Sequence, residues 1–323
     1  MRRVVPLLAV AVTIGLAPTA GASAGPLDDA RRATEKASFN GSLAVTWVDG
    51  AAVRETVVTV RCDHGEMTID GPVPIIKTFG FHVVRMSGGW TDLAPAGAIR
   101  QPSTSKYTVR RGDGPVVAGR PTVALHVFHR ARLRESVAVD RELGVVLRRE
   151  QLDDRGALVR RVEFTSFEPN TGTTRSGMPK QFRAESASVM GSRVPAPYRA
   201  PATLDGGYER VGVYRRGSVI QVVYGDGVYG LSVFEQPGHL NWDALPTAGR
   251  ATTVDGHQAR SYVWPGGRLL TWQAGGSTFT VVGDGLPADV LAAAASMRPA
   301  RSLSTGQRLR QTARELVETL SRG

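Results

Sequence analysis

Gly225, Gly227 and Gly230 stand at the G-x-G-x-x-G spacing with which a dinucleotide site cradles a pyrophosphate. That chemistry needs a helix to open directly after the last glycine, so that its N-terminal amides face the phosphates. Here Leu231, Val233 and Phe234 instead continue a β-branched and aromatic run that stops at Pro237. The segment 219–234 therefore reads as a hairpin. Its centre, Asp226-Gly227, is expected to be a two-residue turn that accommodates positive φ, with one strand arriving from Val219 and the next leaving from Val228.

The remaining reactive side chains also fail to assemble. His126 and His129 fall three apart on a strand pattern, which turns them to opposite faces, and His64, His82, His239 and His257 stand singly without a paired histidine or cysteine. No G-x-S-x-G elbow frames a serine nucleophile, and no local motif nominates a pair of carboxylates. Arg111-Gly112-Asp113 spells an adhesion tripeptide but reads as part of a turn, Gly112-Asp113-Gly114. Cys62 is the single cysteine, so an intramolecular disulfide is impossible; it shares a face with Val58 and Val60 and is expected as a buried apolar thiol. The residues point to no metal, no cofactor and no catalytic centre.

The bulk composition frames what is left. With 323 residues and 41% apolar content the chain is long enough for two cores. Arg2 and Arg3, an apolar run over 4–16 and the small residues Ala20 to Ala24 form the pattern of a cleaved secretory signal, too short in its apolar part to span a bilayer. No cysteine follows that would carry a lipid anchor, so the expectation is an exported protein of the periplasm or cell-envelope space. Of 40 basic residues, removal of Arg2 and Arg3 leaves 38 against 29 acidic ones, a net charge of +9. Export argues against nucleic acid as a partner. The positive excess directs attention to anionic lipid headgroups, an envelope polymer or an acidic partner segment.

The elements behind these residues are mostly strands. Asp28 and Asp29 at the start and Lys36 near the end suit the dipole of a short helix that stops at Asn40-Gly41. From Ser42 to Phe167 apolar residues alternate between turns at Asp49-Gly50, His64-Gly65, Gly88-Gly89, Asp140 to Gly144 and Asp153 to Gly156. Closely spaced turns with few helical stretches predict a curved antiparallel sheet wrapped over one helix. Prolines and glycines thicken over 169–206, which reads as a linker, with 180–189 able to form a strand or short helix. The β pattern returns in the runs 208–214, 219–224, 228–234, 258–264, 269–273 and 277–283, and Pro287 opens a helix. Leu309, Ala313, Leu316, Val317 and Leu320 give the tail a helical stripe.

Several of these words, in order along the chain, resemble the MucB/RseB family of exported regulators of extracytoplasmic sigma factors. Tyr224-Gly225-Asp226-Gly227-Val228 with Ser232-Val233-Phe234 is similar to that family's Y-S-D-G-L and S-V-F strand pair. Val117-Ala118-Gly119-Arg120, Val139-Asp140 with 143–148, and 162–167 resemble its V-A-G-R, its L-D-x-x-T-G-L-P-L hairpin and the close of its large domain; Asn40-Gly41-Ser42-Leu43 stands at its first helix-to-strand junction. Gly225 replaces the family's usual serine, and 239–246 has no counterpart. The resemblance implies an α+β, mainly β fold. It would comprise an N-terminal unclosed antiparallel β-barrel over a helix, LolA/LolB-like, and a smaller C-terminal antiparallel sheet with a packed helix. The expected divisions are a signal peptide at 1–24, a large domain at 25–168, a linker at 169–206, a small domain at 207–300 and an amphipathic helical tail at 301–323.

The resemblance further implies a non-enzymatic binding protein that holds the extracytoplasmic segment of an anti-sigma factor and modulates its proteolysis, sensing a lipid. Candidate groove residues are Trp47, Val58, Val60, Val83, Trp90, Val127, Phe128, Val137, Val139 and Phe164, and ordinary core is the competing assignment for each. Tyr208, Tyr214, Tyr224 and Tyr229 are the candidates for amphipathic contact with the partner. A lipid or lipoprotein carrier built on the same half-barrel is the alternative function.

Overall fold

The computed structural model describes residues 25–63, 66–70, 84–86, 106–170, 188–191, 194, 198–216 and 218–297. The expected signal at 1–24, the tail at 301–323, His64, His82, Val83 and Trp90 lie outside them. Helix α1 (Pro26–Lys36) opens the described chain, with Pro26 in its first turn, Asp28 and Asp29 at its positive end and Lys36 at its negative end, as the dipole favours.

Among the described residues nine strands follow and form one antiparallel sheet: β1 (Phe39–Asp49), β2 (Ala52–Asp63), β3 (Glu66–Asp70), β4 (Val84–Met86), β5 (Thr108–Val117), β6 (Arg120–His129), β7 (Arg132–Asp140), β8 (Val146–Leu152) and β9 (Leu158–Pro169). Their order is β4-β3-β2-β1-β9-β8-β7-β6-β5, so the first strand pairs with the last and two edges remain. Register puts the apolar alternation on one face. Leu43 lies opposite both Val58 and Phe164, Val45 opposite Val162, and Leu125 opposite Val137. Phe39, Phe164 and Phe167 meet there with ring centroids 5.1 to 5.6 Å apart. Cys62 is buried among them, as its alternation with Val58 and Val60 predicts.

Over the β6–β8 end of this face, α1 sets Ala30 against Leu125, Val137 and Val146. Thr34 Oγ1 accepts the Val146 amide at 3.3 Å.

The second sheet is also nine-stranded rather than smaller: β10 (Ser188–Gly191), β11 (Thr203–Leu204), β12 (Tyr208–Arg216), β13 (Val219–Gly225), β14 (Gly230–Pro237), β15 (Arg250–Val254), β16 (His257–Trp264), β17 (Gly267–Ala274) and β18 (Ser277–Gly283). They run β10-β12-β13-β14-β18-β17-β16-β15, with β11 on β12. A 3₁₀ turn, Trp242–Ala244, precedes β15. Helix α2 (Pro287–Ala295) starts on proline, as expected, and buries Val290, Ala293 and Ala294 in the core. Trp272 and Phe279 stack inside it at 5.1 Å. Each such side chain removed from water contributes about 1.5–3 kcal/mol, and Val127 of β6 belongs to this second core as well.

Two turns differ from the sequence expectation. Asp226-Gly227 is not a two-residue turn: β14 begins at Gly230, paired with Gly225, and Val228 and Tyr229 belong to a four-residue loop. Asp226 closes that loop, accepting the Val228 and Tyr229 amides at 3.0 and 2.7 Å, while Gly227 takes φ +96°. Arg111-Gly112-Asp113 lies within β5, where a bulge between Asp113 and Val116 replaces the expected turn. The Asp140 turn is as expected, with the Asp140 carboxylate accepting the amides of Glu142 and Leu143 at 2.9 and 2.8 Å.

Candidate functional site

Charged side chains sit where alternation would place apolar ones, and they gather where the two sheets meet. In β7 and β8, Glu135 and Gln151 oppose each other, as do Val137 and Arg149, so all four share the inner face. Arg149 is fully enclosed. Its guanidinium donates to both oxygens of Glu135 at 2.7 and 2.9 Å and to Asp284, between β18 and α2, at 2.9 Å. Asp284 in turn accepts the Gly230 amide at 2.8 Å, and its backbone carbonyl accepts Gln151. Tyr229 lies beneath the Arg149 guanidinium at 5.8 Å and donates to the Arg134 carbonyl at 3.4 Å.

A second cluster adjoins the first. Lys106 Nζ stands 2.9 Å from Asp226, and Tyr107 donates to the same carboxylate at 2.8 Å. Tyr107 also meets the Tyr229 ring edge-on at 6.0 Å and the His129 ring at 5.7 Å. The loop that carries the resemblance is thus the piece of the second sheet that plugs into the first. Burial, followed by the Asp226 charge, drives the Tyr107 hydroxyl well above its ordinary range. Burial likewise pushes the Glu135 carboxyl up despite Arg149 opposing it, and Asp289 is raised chiefly by burial.

Chemically the arrangement is a set of matched buried charges. Taking such ions out of water is costly, and good geometry with full hydrogen bonding is what offsets it. Among the described residues no group of three or more His, Cys, Asp or Glu side chains is placed to hold a metal, and no helix is long and apolar enough to cross a membrane.

The candidate groove residues fall into three sets. Trp47, Val58, Val60 and Phe164 are buried in one cluster, against which Val263 and Trp264 of the second sheet pack. Val137 lies under α1 with Val139 beside it, and Val127 belongs to the second core. Phe128, following Val127 after a bulge, carries the Arg110 guanidinium 5.1 Å above its ring. Apart from Phe128, the described members of the set lie in cores against which α1 and side chains of the second sheet pack.

The four tyrosines are inside too. Tyr208, Tyr214, Tyr224 and Tyr229 are all buried, and Tyr224 donates to the Pro201 carbonyl at 3.1 Å. They stabilise the second sheet and its junction, and present no ring to a partner in this state. Sequence reasoning missed Lys106, Tyr107, Glu135, Arg149 and Asp284. The available signal was a charged or polar residue at an inward position of an alternating strand, most legible at Arg149 and Gln151.

No family model and no curated relative matches the chain. Among solved structures it is similar to MucB in complex with MucA(peri), 21% identical over 85% of this chain and 97% of that one, with a TM-score of 0.46. It is also similar to MucB alone, 21% identical over 85% and 96% at a TM-score of 0.44. The MucA/MucB complex of Pseudomonas aeruginosa is 20% identical over 85% and 97%, again at 0.44.

Proposed function

We propose that this is an exported, non-enzymatic binding protein of the cell envelope. It holds the extracytoplasmic segment of a membrane-spanning anti-sigma factor and controls that segment's exposure to proteolysis. The observation that carries this reading is the ordered run of family-like words from Asn40 to Glu235, whose most specific member, Tyr224 to Phe234, forms the loop joining the two sheets. The signal-like N-terminus supports an envelope location. In this reading 25–168 and 207–300 are the two working units, with 169–206 running between them and lending β10 and β11 to the second sheet, and 301–323 as an appended helix.

A lipid is the proposed modulator. The inner apolar face bearing Leu43, Val58, Val60 and Phe164 is closed by the second sheet through Val263 and Trp264. An acyl chain reaches that face only if the sheets part, so a lipid and a partner that grips the closed form oppose each other. Such coupling requires that each ligand prefer a different state, and that difference in affinity sets its size.

The test is capture of the anti-sigma extracytoplasmic segment on the immobilised chain from residue 25 onward, with and without phospholipid. Retention that lipid diminishes is the expected result. Failure to retain the segment, together with a co-purifying lipid seen by mass spectrometry, would replace this reading with that of a lipid or lipoprotein carrier.

A further inference from the structure

Where Asp49 at the end of β1 meets the second sheet, cations outnumber their partner among the described residues. Asp49 Oδ2 lies 3.3 Å from Arg54 Nε, and Oδ1 lies 2.6 Å from Arg250 Nη2 of the second sheet. Arg268, which shares a register position with Val263, lies in the field of both Asp49 and Arg250. Two guanidinium groups thus flank one carboxylate while a third stands in the field of that carboxylate and of Arg250, and Arg54 and Arg250 remain 58% and 60% exposed. Burial holds Arg268 below its ordinary range; Asp49 works against that depression, and Arg250 adds to it. Trp47, opposite Arg54 in register, and Trp264, packed on the first core, each hold a buried indole N–H with no acceptor among the described residues.

Arg250 also begins β15, an edge of the second sheet. Two edges whose side chains are described can be compared. The β5 edge carries Arg110, Arg111, Pro115 and a bulge, all devices that discourage strand addition. The β15 edge has none of these beyond Arg250 itself. It reads Arg250-Ala251-Thr252-Thr253-Val254, its pairing with β16 is regular throughout, and Ala251 and Thr253 are exposed. An exposed edge of this kind supplies main-chain hydrogen bonds to an extended peptide, and the adjoining side chains supply selectivity.

We propose that the β15 edge and the Arg54–Arg250–Arg268 cluster together form a docking site for an extended acidic peptide. The peptide adds as a strand beside β15 and places its carboxylates on the guanidinium groups left without a full counter-charge. This rests on the peptide-binding function above and names where the peptide docks and the charge it carries.

The probe is a short fluorescein-labelled peptide of alternating glutamate and valine, titrated by anisotropy against the chain from residue 25 onward. It should bind more weakly as salt rises, because exposed charges are screened beyond about 8 Å at 0.15 M ionic strength. Arg250→Ala with Arg268→Ala should weaken binding by about tenfold or more. Arg250→Ala alone serves if the double variant does not fold. Arg110→Ala with Arg111→Ala should change nothing, and a glutamate–proline peptide of equal charge should not bind, because it cannot join a sheet.

Equal binding of the proline peptide, or binding undiminished by Arg250→Ala, overturns the proposal. So does a response of the Arg250 variant confined to phosphatidylglycerol vesicles. Capture of the anti-sigma segment by the Arg250 variant at full strength sinks this site while leaving the function intact; failure of the unaltered chain to capture it sinks the function instead.

Discussion

Asp140 shows how one carboxylate can hold a turn and a strand end together. It is buried, accepts two backbone amides of its own turn, and is bridged by Arg120 from the neighbouring strand. Burial works to raise its pKa, but the Arg120 hydrogen bond and the two amides outweigh it, and the group ends below its ordinary value. Because the folded pKa is depressed, its stabilisation is complete above the unfolded value of about 3.9 and is lost as pH falls through the lower folded one. Asp140→Asn should therefore cost about 1.5–3 kcal/mol at neutral pH. In urea melts the deficit should shrink once the pH drops below about 4. Tyr107→Phe removes the hydroxyl donor to the buried Asp226 carboxylate, and the same scale of about 1.5–3 kcal/mol applies, with Lys106 limiting the loss. Because both Asp226 and Tyr107 lie at the seam, Tyr107→Phe should also increase hydrogen exchange of the Val228 and Tyr229 amides.

At the scale of elements, strands were readable where alternation and turn chemistry agreed. The Asp49-Gly50 and Asp140–Gly144 turns and the helices starting at Pro26 and Pro287 carry their own local signals, and the structure has them. What could not be read was anything set by distant pairing. β15 escaped notice because five residues with two threonines and an arginine have no apolar alternation; only its register with β16 makes it a strand. The Asp226 loop was read two residues too short because Val228 and Tyr229 look like strand residues, yet their amides are claimed by Asp226. The apolar face was legible, but its closure by Val263 and Trp264 was not. The Glu135–Arg149–Asp284 group follows the same logic across two sheets. Arg149→Ala should cost about 3–5 kcal/mol, since it strands two buried carboxylates. Replacing Arg149, Glu135 and Asp284 together by Met, Leu and Asn should recover most of that loss, because no charge is then left uncompensated. Chemical denaturation of the single and triple variants checks both.

For the whole molecule, the question is whether two sheets of this size behave as one body. Their connections are of two kinds: apolar, with Val127 in the second core and Val263 and Trp264 on the first, and ionic, buried through Asp226 and Asp284 and more exposed between Asp49 and Arg250. The first sheet closes late in the chain, since Leu43 must find Phe164 before β1 is paired on both sides. Pairing over such sequence separations is slow to form and depends on what covers it. The native molecule should therefore unfold in a single transition, with calorimetry and tryptophan fluorescence agreeing on the midpoint. Replacing Asp226 and Asp284 by alanine removes the two buried ionic ties, leaves Lys106 and Arg149 facing the gap and only the exposed Asp49–Arg250 pair in place, and keeps each sheet's own ladder. Two resolved transitions are then expected, the lower one accompanied by increased binding of an apolar dye as the inner face opens. A double variant that still melts in one step would mean that the apolar contacts and the exposed Asp49–Arg250 pair suffice to hold the sheets together, and that lipid entry cannot be governed by Asp226 and Asp284.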